Sequence, residues 1–371
     1  MSATWFRHFN TSTLSLMKIK NITVWSADLG NTKPYTIAFK TVDEVINVFA
    51  EIILDNGMTG IGGGGPSEYV TGEHLDDTKS ALEAQNVDFL IGRDIREINQ
   101  LLFEAGMKLS KTPAAQAIID IALHDAFTKF LGIPLVKYLG QKIHSMPTSN
   151  TIGIKNVEDT LKEAEEYGKL GFRALKVKIG KDLGEDIERL VKLREKFGKK
   201  FFIRIDANQG YTLAQTIEFY NRTKELDIEL IEQPLPARSV HELKLLPEEV
   251  KVKIAADESL LSPKDALTLI KPPRAAGIFN IKLMKCGGIY QGLKIADIAF
   301  QERIDLFWGC NDESVVSITA ALHVAFACAN TKYIDLDGSL DLARDIVKGG
   351  FILKDGLMSC SDKPGLGVER I

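Results

Sequence analysis

Phe172-Arg-Ala-Leu-Lys176-Val-Lys178-Ile179, Phe201-Phe-Ile-Arg-Ile-Asp206, Ile228-Glu-Leu-Ile-Glu232 and Val252-Lys-Ile-Ala-Ala-Asp257 follow one another along the chain, the first an apolar run carrying Lys176 and Lys178 and the others each stopping on a carboxylate. Ile278–Lys282 and Tyr333–Asp337 repeat the pattern, ending on Lys282 and carrying Asp335 and Asp337. Short apolar runs rich in β-branched residues read as buried strands. Amphipathic helical patterns separate most of them, near Val157–Leu170, Gly184–Phe197, Leu213–Leu226, Pro263–Ile270, Gly288–Gln301 and Ser314–Ala329. Met146–Ile152 and Ile304–Trp308 complete a set of eight strands. A doubly wound open sheet alternates in the same way, but it gathers its polar residues at one switch point. Charges at almost every strand end describe the mouth of a (β/α) barrel.

Outward from the barrel, the first part of the chain has another texture. Lys18–Trp25 alternates like an edge strand, and Val45–Ile53 reads as a second strand. Asp55-Asn56-Gly57 after it is a hairpin signal, because Asn-Gly supplies the positive φ such turns need. The glycine run Gly60–Gly65, closed by Pro66, reads as a loop that lets backbone come close to something else. No Lys-Ser/Thr follows it, so it does not fit a phosphate-binding loop. Helical patterns then run from about His74 to Phe130, which makes an α+β unit of the size of a cap.

The bulk properties narrow the class. A length of 371 residues exceeds what one core usually serves, so a barrel with a smaller second domain is the natural division. The net charge of −4 argues against nucleic acid or an anionic membrane as partner. No apolar stretch is long enough to span a bilayer without a charge or a break. Cys286, Cys310, Cys328 and Cys360 show no paired spacing, so neither a disulfide framework nor a zinc site is expected, and a reducing cytoplasm fits best. Residues 1–16 lack the features of a signal peptide and read as a poorly ordered extension ahead of Met17.

Asp206, Glu232 and Asp257 end successive strands about 25 residues apart, one βα unit each. Three carboxylates without histidine or cysteine form a hard oxygen site suited to Mg²⁺, with Mn²⁺ as a substitute. Solvated loop acids or helix N-caps are the alternative for any one of them, but a weak one for three in register. Lys178 and Lys282 flank the acid strands. Two such bases on opposite faces of one carbon permit removal of a proton from one side and its return from the other, through an enediolate held by the metal. A neighbouring cation and a second ammonium are expected to lower their pKa values. Lys176 shares the face of Lys178 and is a candidate contact for a substrate carboxylate. Asp335 and Asp337, two apart, suit a cationic group such as a substrate ammonium, or form a solvated acidic turn before Gly338. Asn208 and Gln209 are candidates to orient water or substrate.

Lys176-Val-Lys178, Asp206-Ala-Asn208-Gln209-Gly210, Glu232-Gln-Pro234, Asp257-Glu-Ser259 and Asn280-Ile-Lys282-Leu-Met-Lys-Cys-Gly-Gly288 resemble the enolase superfamily, in its muconate-lactonizing-enzyme subgroup. The resemblance covers nearly all the chain from Met17. It implies a modified (β/α)₇β barrel (141–340) under an α+β cap (17–140), with the tail (341–371) returning to the cap. Within the subgroup, Asp335-Leu-Asp337 is similar to the signature of dipeptide epimerases, in which the paired acids hold the free ammonium of the substrate. The C-terminal carboxylate of the substrate then meets Mg²⁺, and its α-carbon sits between the two lysines. Thr71-Gly-Glu73 and Gly309–Ser314 are also similar to that group, which makes Thr71 a candidate substrate contact. Enzymes of the group acting on Ala-Glu carry an arginine where this chain has Phe39, followed by Lys40, and Asp312 stands where a neutral residue is common. Both departures argue for an apolar or cationic second residue. N-acylamino-acid racemase, o-succinylbenzoate synthase and cycloisomerase chemistry remain alternatives on the same fold, and a non-catalytic ligand-binding barrel a remote one. The architecture often assembles, which allows a homo-oligomer beside the dipeptide as partner.

Overall fold

The computed structural model describes residues 17–32, 35–36, 41–42 and 44–371, with side chains at all of these except 35–36 and 41–42. The expected extension 1–16 and Phe39 lie outside the described residues. The first strands form an antiparallel sheet of β1 (Ile19–Asp28), β2 (Ile46–Leu54) and β3 (Thr59–Gly64), with β1 at an edge as its alternation predicted. Between β2 and β3, Gly57 takes the positive φ of 83° and donates to the Leu54 carbonyl, so the hairpin forms where Asn-Gly placed it.

The glycine run is a correction: it is strand β3 and not a loop. What the sequence did carry was the close approach. Helix α2 (Pro113–Leu131), preceded by α1 (Ile98–Lys108), lies directly on β3. A Cβ on Gly62 would stand 1.9 Å from the Ile118 carbonyl oxygen, and one on Gly60 would stand 2.4 Å from that of Ala122. Glycines thus face the helix backbone at Ile118, Ala122 and Ala126, and the pairing of Phe49 with Gly63 and Ala50 with Gly62 keeps the strand in register.

The second unit is a single parallel sheet of eight strands in chain order: β4 (Ser149–Ile152), β5 (Ala174–Lys178), β6 (Phe202–Asp206), β7 (Ile228–Glu232), β8 (Ile254–Ala256), β9 (Ile278–Ile281), β10 (Asp305–Trp308) and β11 (Thr331–Ile334). A parallel bridge between Thr148 and Ile334 joins the last strand to the first and closes the ring. Crossovers run through α3 (Val157–Lys169), α4 (Leu183–Phe197), α5 (Leu213–Thr223), α6 (Pro263–Ile270), α7 (Ile289–Gln301) and α8 (Val315–Ala327). After β7 two four-residue helices replace the usual long one, which is why no helical pattern was visible there. This is the (β/α)₇β barrel with its cap.

Two strand ends differ from their sequence reading. The last strand stops at Ile334, and Asp335 and Asp337 follow it, although Asp335 still donates its N–H to the Trp308 carbonyl. Val252 closes a short helix, and the fifth barrel strand starts at Ile254. Met146–Pro147 separates from β4 and pairs instead with a C-terminal hairpin.

The tail contributes β12 (Val347–Gly349), β13 (Phe351–Lys354), β14 (Leu357–Cys360) and β15 (Val368–Arg370). Helix α2 is the wall common to every part. Its Asp125 accepts from Ile61 of β3 and from Leu366 of the tail, while its Asp120 accepts from Ile289 and Tyr290 at the start of α7. Each carboxylate satisfies helix-end or strand N–H groups that burial would otherwise leave unpaired. Among the described residues, no helix is long and apolar enough to cross a membrane.

Gly62→Ala is expected to destabilise the protein by about 3 kcal/mol or more, because the new methyl collides with helix backbone and not with a movable side chain. Urea unfolding checks this, and a variant as stable as the parent would contradict the packing described.

Candidate active site

The barrel puts the predicted charges on one rim. In register, Lys178 pairs with Asp206 and Asp206 with Glu232, so three strand ends are level. Alternation points Lys176 and Lys178, Asp206, Glu232, and Asn280 and Lys282 into the same interior. Lys178 ends the second barrel strand and Lys282 directly follows the sixth. In a closed ring of eight, that places them on opposite walls.

The three acids are fully buried, and ammonium groups neutralise them. Lys176 Nζ stands 3.0 Å from Asp206 Oδ2 and 2.8 Å from Glu232 Oε2. Lys178 Nζ lies 3.4 Å from Asp206 Oδ2, and Lys282 Nζ 2.9 Å from Asp257 Oδ2. Lys285, absent from the sequence reading of the site, pairs with Asp257 Oδ1. Burial tends to raise the pKa of Asp206, but the ammonium groups of Lys176, Lys178 and Lys282 outweigh it and hold the acid at about 2. Asp257 is likewise driven down, against burial, by Lys282 and Lys285. Glu232 goes the other way: burial and the repulsion of Asp206 push it well above the ordinary carboxylate value. Lys282 does not show the expected downward shift. Burial disfavours the charge on Lys282, yet Asp257 and Glu232 keep its pKa raised.

These residues fit a divalent cation by their chemistry. Three hard oxygen donors repel one another in a buried space, and Glu232 Oε2 has an ionic neighbour in Lys176 but no aligned hydrogen bond. They do not form a ready cage. Among the described residues no group of three His, Cys, Asp or Glu side chains stands at metal-binding spacing, and Lys176 bridges two of the acids instead.

The paired acids of the eighth strand occupy two levels. Asp335 is buried, with Oδ1 accepting from Ser149 Oγ at 2.6 Å and Oδ2 beside Lys176 Nζ at 3.0 Å. Asp337 lies nearer the mouth, one oxygen accepting from the Thr151 N–H at 2.9 Å. Burial and then Asp335 push its carboxyl up to about 7. Asn208 meets the site as expected: its Oδ1 accepts from Lys178 Nζ at 2.9 Å, and its N–H caps Asp206. Asn208 and Gln209 hold positive φ values of 41° and 67°, strain that the surrounding contacts impose at this rim.

Other assignments separate from the rim. Among the described residues Thr71 bonds within the cap, its hydroxyl donating to the Ser67 carbonyl and accepting from the Glu73 N–H. Glu73 in turn caps α2 through the N–H groups of Ala114 and Ala115. Asp312 sits where the loop after β10 meets the cap, its carbonyl accepting from Asn47 Nδ2. Sequence reading missed Asn280, Lys285, Gln233 and Glu313. Asn280 lies two before Lys282, so the same alternation that paired Lys176 with Lys178 could have found it. Gln233 accepts from Asp257 N, Ser259 N and Ser259 Oγ, joining two rim loops.

Glu313, beside Asp312, is buried against the cap with its Oε1 accepting from Asn311 N. Burial pushes it up to about 7 from an ordinary 4.5. The native state therefore binds this proton more tightly than the unfolded chain, and stability falls as pH rises between those two values. Glu313→Gln is expected to remove that fall and to stabilise the protein above pH 7 by on the order of 2–3 kcal/mol. Unfolding curves from pH 5 to 8 check the slope; an unchanged slope would contradict it.

Comparison with known proteins places this geometry. Residues 21–140 match the Mandelate racemase / muconate lactonizing enzyme N-terminal domain, and residues 159–370 the Enolase C-terminal domain-like family. The chain is 53% identical over 355 residues to the L-Lys-D/L-Arg epimerase of Desulforapulum autotrophicum, covering 96% of this chain and 100% of that one. It is 35% identical over 357 residues to the L-Ala-D/L-Glu epimerase of Clostridium acetobutylicum, covering 96% and 99%. Among solved structures, the dipeptide epimerase of Methylococcus capsulatus complexed with Mg and the dipeptide L-Arg-D-Lys superposes with a TM-score of 0.93 at 49% identity, over 95% of this chain and 99% of that one.

Proposed function

The chain belongs to the mandelate racemase / muconate lactonizing enzyme family of the enolase superfamily, and from that membership we propose that it is a Mg²⁺-dependent dipeptide epimerase whose substrates carry cationic side chains. The observation that carries the reading is the pair Lys178 and Lys282 on opposite walls of a barrel whose intervening strand ends are Asp206, Glu232 and Asp257. It is an isomerase in this reading, acting in the cytoplasm, with the chain divided at about residues 140 and 340.

Asp206, Glu232 and Asp257 would hold Mg²⁺, which when bound supplies the positive charge that receives the carboxylate of the substrate and offsets the charge developing on it. Lys176, whose ammonium already faces Asp206 and Glu232, serves the same end of the substrate. One lysine takes the α-proton of the C-terminal residue, leaving an enediolate on the substrate. The lysine on the opposite wall delivers a proton to the other face, and the configuration inverts. Asn208 fixes Lys178 for this transfer through its 2.9 Å contact. Asp337, nearer the mouth and with only one oxygen tied to Thr151, receives the substrate ammonium, while Asp335 supports it from one level below. Asp312, at the joint of barrel and cap, and the stretch around Phe39 and Thr71 in the cap set the preference for the second side chain. An acid at Asp312 suits lysine or arginine, in keeping with the L-Lys-D/L-Arg epimerase and the L-Arg-D-Lys complex to which the chain is similar.

Racemisation of an N-acylated amino acid is the second reading, favoured by the engagement of Asp335 with Lys176, which leaves one acid and not two for an ammonium.

In D₂O with Mg²⁺, a Lys/Arg dipeptide such as L-Arg-L-Lys is expected to exchange its C-terminal α-proton and accumulate the D-epimer, followed by ¹H NMR. Lys178→Ala and Lys282→Ala should each lower epimerisation by about 10³-fold or more, with residual exchange confined to opposite epimers. Epimerisation at the parent rate in either variant contradicts the two-base assignment.

A further inference from the structure

Each of the three rim acids has one oxygen held by a neighbouring backbone or side-chain donor and one facing Lys176, Lys178 or Lys282. Asp206 Oδ1 accepts from the N–H of Asn208 at 3.0 Å. Glu232 Oε1 accepts from Asn280 Nδ2 at 2.8 Å, and Asp257 Oδ1 from Lys285 Nζ. Among the described residues, the remaining oxygens, Asp206 Oδ2, Glu232 Oε2 and Asp257 Oδ2, pair with Lys176, Lys178 and Lys282. The tether on Asp206 is backbone and follows from the loop. The other two are side chains from one short stretch that also carries Lys282. We infer that Asn280 and Lys285 are positioning residues, which turn Glu232 and Asp257 so that one oxygen of each faces the cation; this rests on the metal site proposed above.

The chemistry of each tether supports the assignment. Asn280 is fully buried on β9, two residues before Lys282, which directly follows that strand. Its amide must present the NH₂ to Glu232, since the amide oxygen would repel a carboxylate, and Asn280 Oδ1 is accordingly left without a partner. Lys285 lies one helical turn beyond, 2% exposed. Besides Asp257 Oδ1 its ammonium donates to the Asp257 carbonyl at 2.7 Å and the Asn280 carbonyl at 3.0 Å. An ammonium has three donors, and all of them are used. Lys285 is therefore neither a base nor a substrate contact. It binds the end of the fifth strand to the end of the sixth, and so fixes Asp257 relative to Lys282. Gly309 keeps the neighbouring space open, because a Cβ there would stand 2.7 Å from Asn280 Oδ1 and 3.1 Å from Lys282 Cε.

Groups that hold metal ligands in place typically change affinity 10–100-fold when removed. Mn²⁺ binding to Asn280→Ala and Lys285→Met, measured from the free-ion signal by electron paramagnetic resonance on protein shown to be folded by circular dichroism, should weaken by about 10-fold or more. The kcat of dipeptide epimerisation should recover in part at saturating Mg²⁺, which a merely unstable barrel would not show. Should Lys285→Met fail to fold, Asn280→Ala decides alone. Parent-like Mn²⁺ affinity in the folded variants, with binding lost in a Glu232→Gln control, overturns the positioning role and leaves the metal site standing. A parent protein that binds no Mn²⁺ overturns the metal reading, and the tethers with it.

Discussion

Charges buried together must neutralise one another, and at the rim of this barrel Asp206, Glu232, Asp257 and Asp335 do so with Lys176, Lys178, Lys282 and Lys285. An isolated buried ion costs several kcal/mol even after relaxation, so no member of this set can be placed loosely. The set is not at rest, however. Glu232 is pushed up in pKa by burial and by Asp206 although Lys176 lies 2.8 Å away. A fold arranged only for stability would be better served by apolar residues in those positions. A carboxyl kept high in pKa beside an ammonium, between two other buried acids, is a donor set whose chemistry suits a divalent cation.

The rest of the structure holds that rim still and covers it. Helix α2 packs on glycines of the cap sheet, caps α7 of the barrel through Asp120 and receives the tail through Asp125, so cap, barrel and tail share one wall. Asn47 of the cap binds the loop after β10 through the Asp312 carbonyl and the Ser314 N–H. The buried charges therefore sit at the ends of the barrel strands, while Asp312 lies at the joint between the two units, where its carbonyl meets Asn47. Loops around a barrel mouth can change while the strands that carry the charges stay as they are.

Much of this was legible in the sequence because it depends on local periodicity. Strand ends at Asp206, Glu232 and Asp257 are marked by apolar runs that stop on a charge, and Lys176 and Lys178 announce a shared face by their spacing. Gly60–Gly65 was misread for a physical reason: glycine signals freedom, and only the position of α2 decides that the freedom is used for close packing in a strand. The two levels of Asp335 and Asp337 were hidden as well, since spacing gives a common face but not depth. Lys285 and Glu313 stood inside quoted motifs but carried no role there, because their partners, Asp257 and the Asn311 N–H, are fixed by tertiary contacts and by a loop turn.

The central claim is that Asp206, Glu232 and Asp257 form one cation site under mutual repulsion. Thermal unfolding of the parent and of Glu232→Gln, with and without Mg²⁺ at constant ionic strength, tests it most directly. The account predicts that Mg²⁺ at about a hundred times its dissociation constant stabilises the parent by about 3 kcal/mol. It also predicts that Glu232→Gln is the more stable of the two without the ion and gains nothing when Mg²⁺ is added. A parent protein indifferent to Mg²⁺, or a variant stabilised by it to the same extent, would contradict the account.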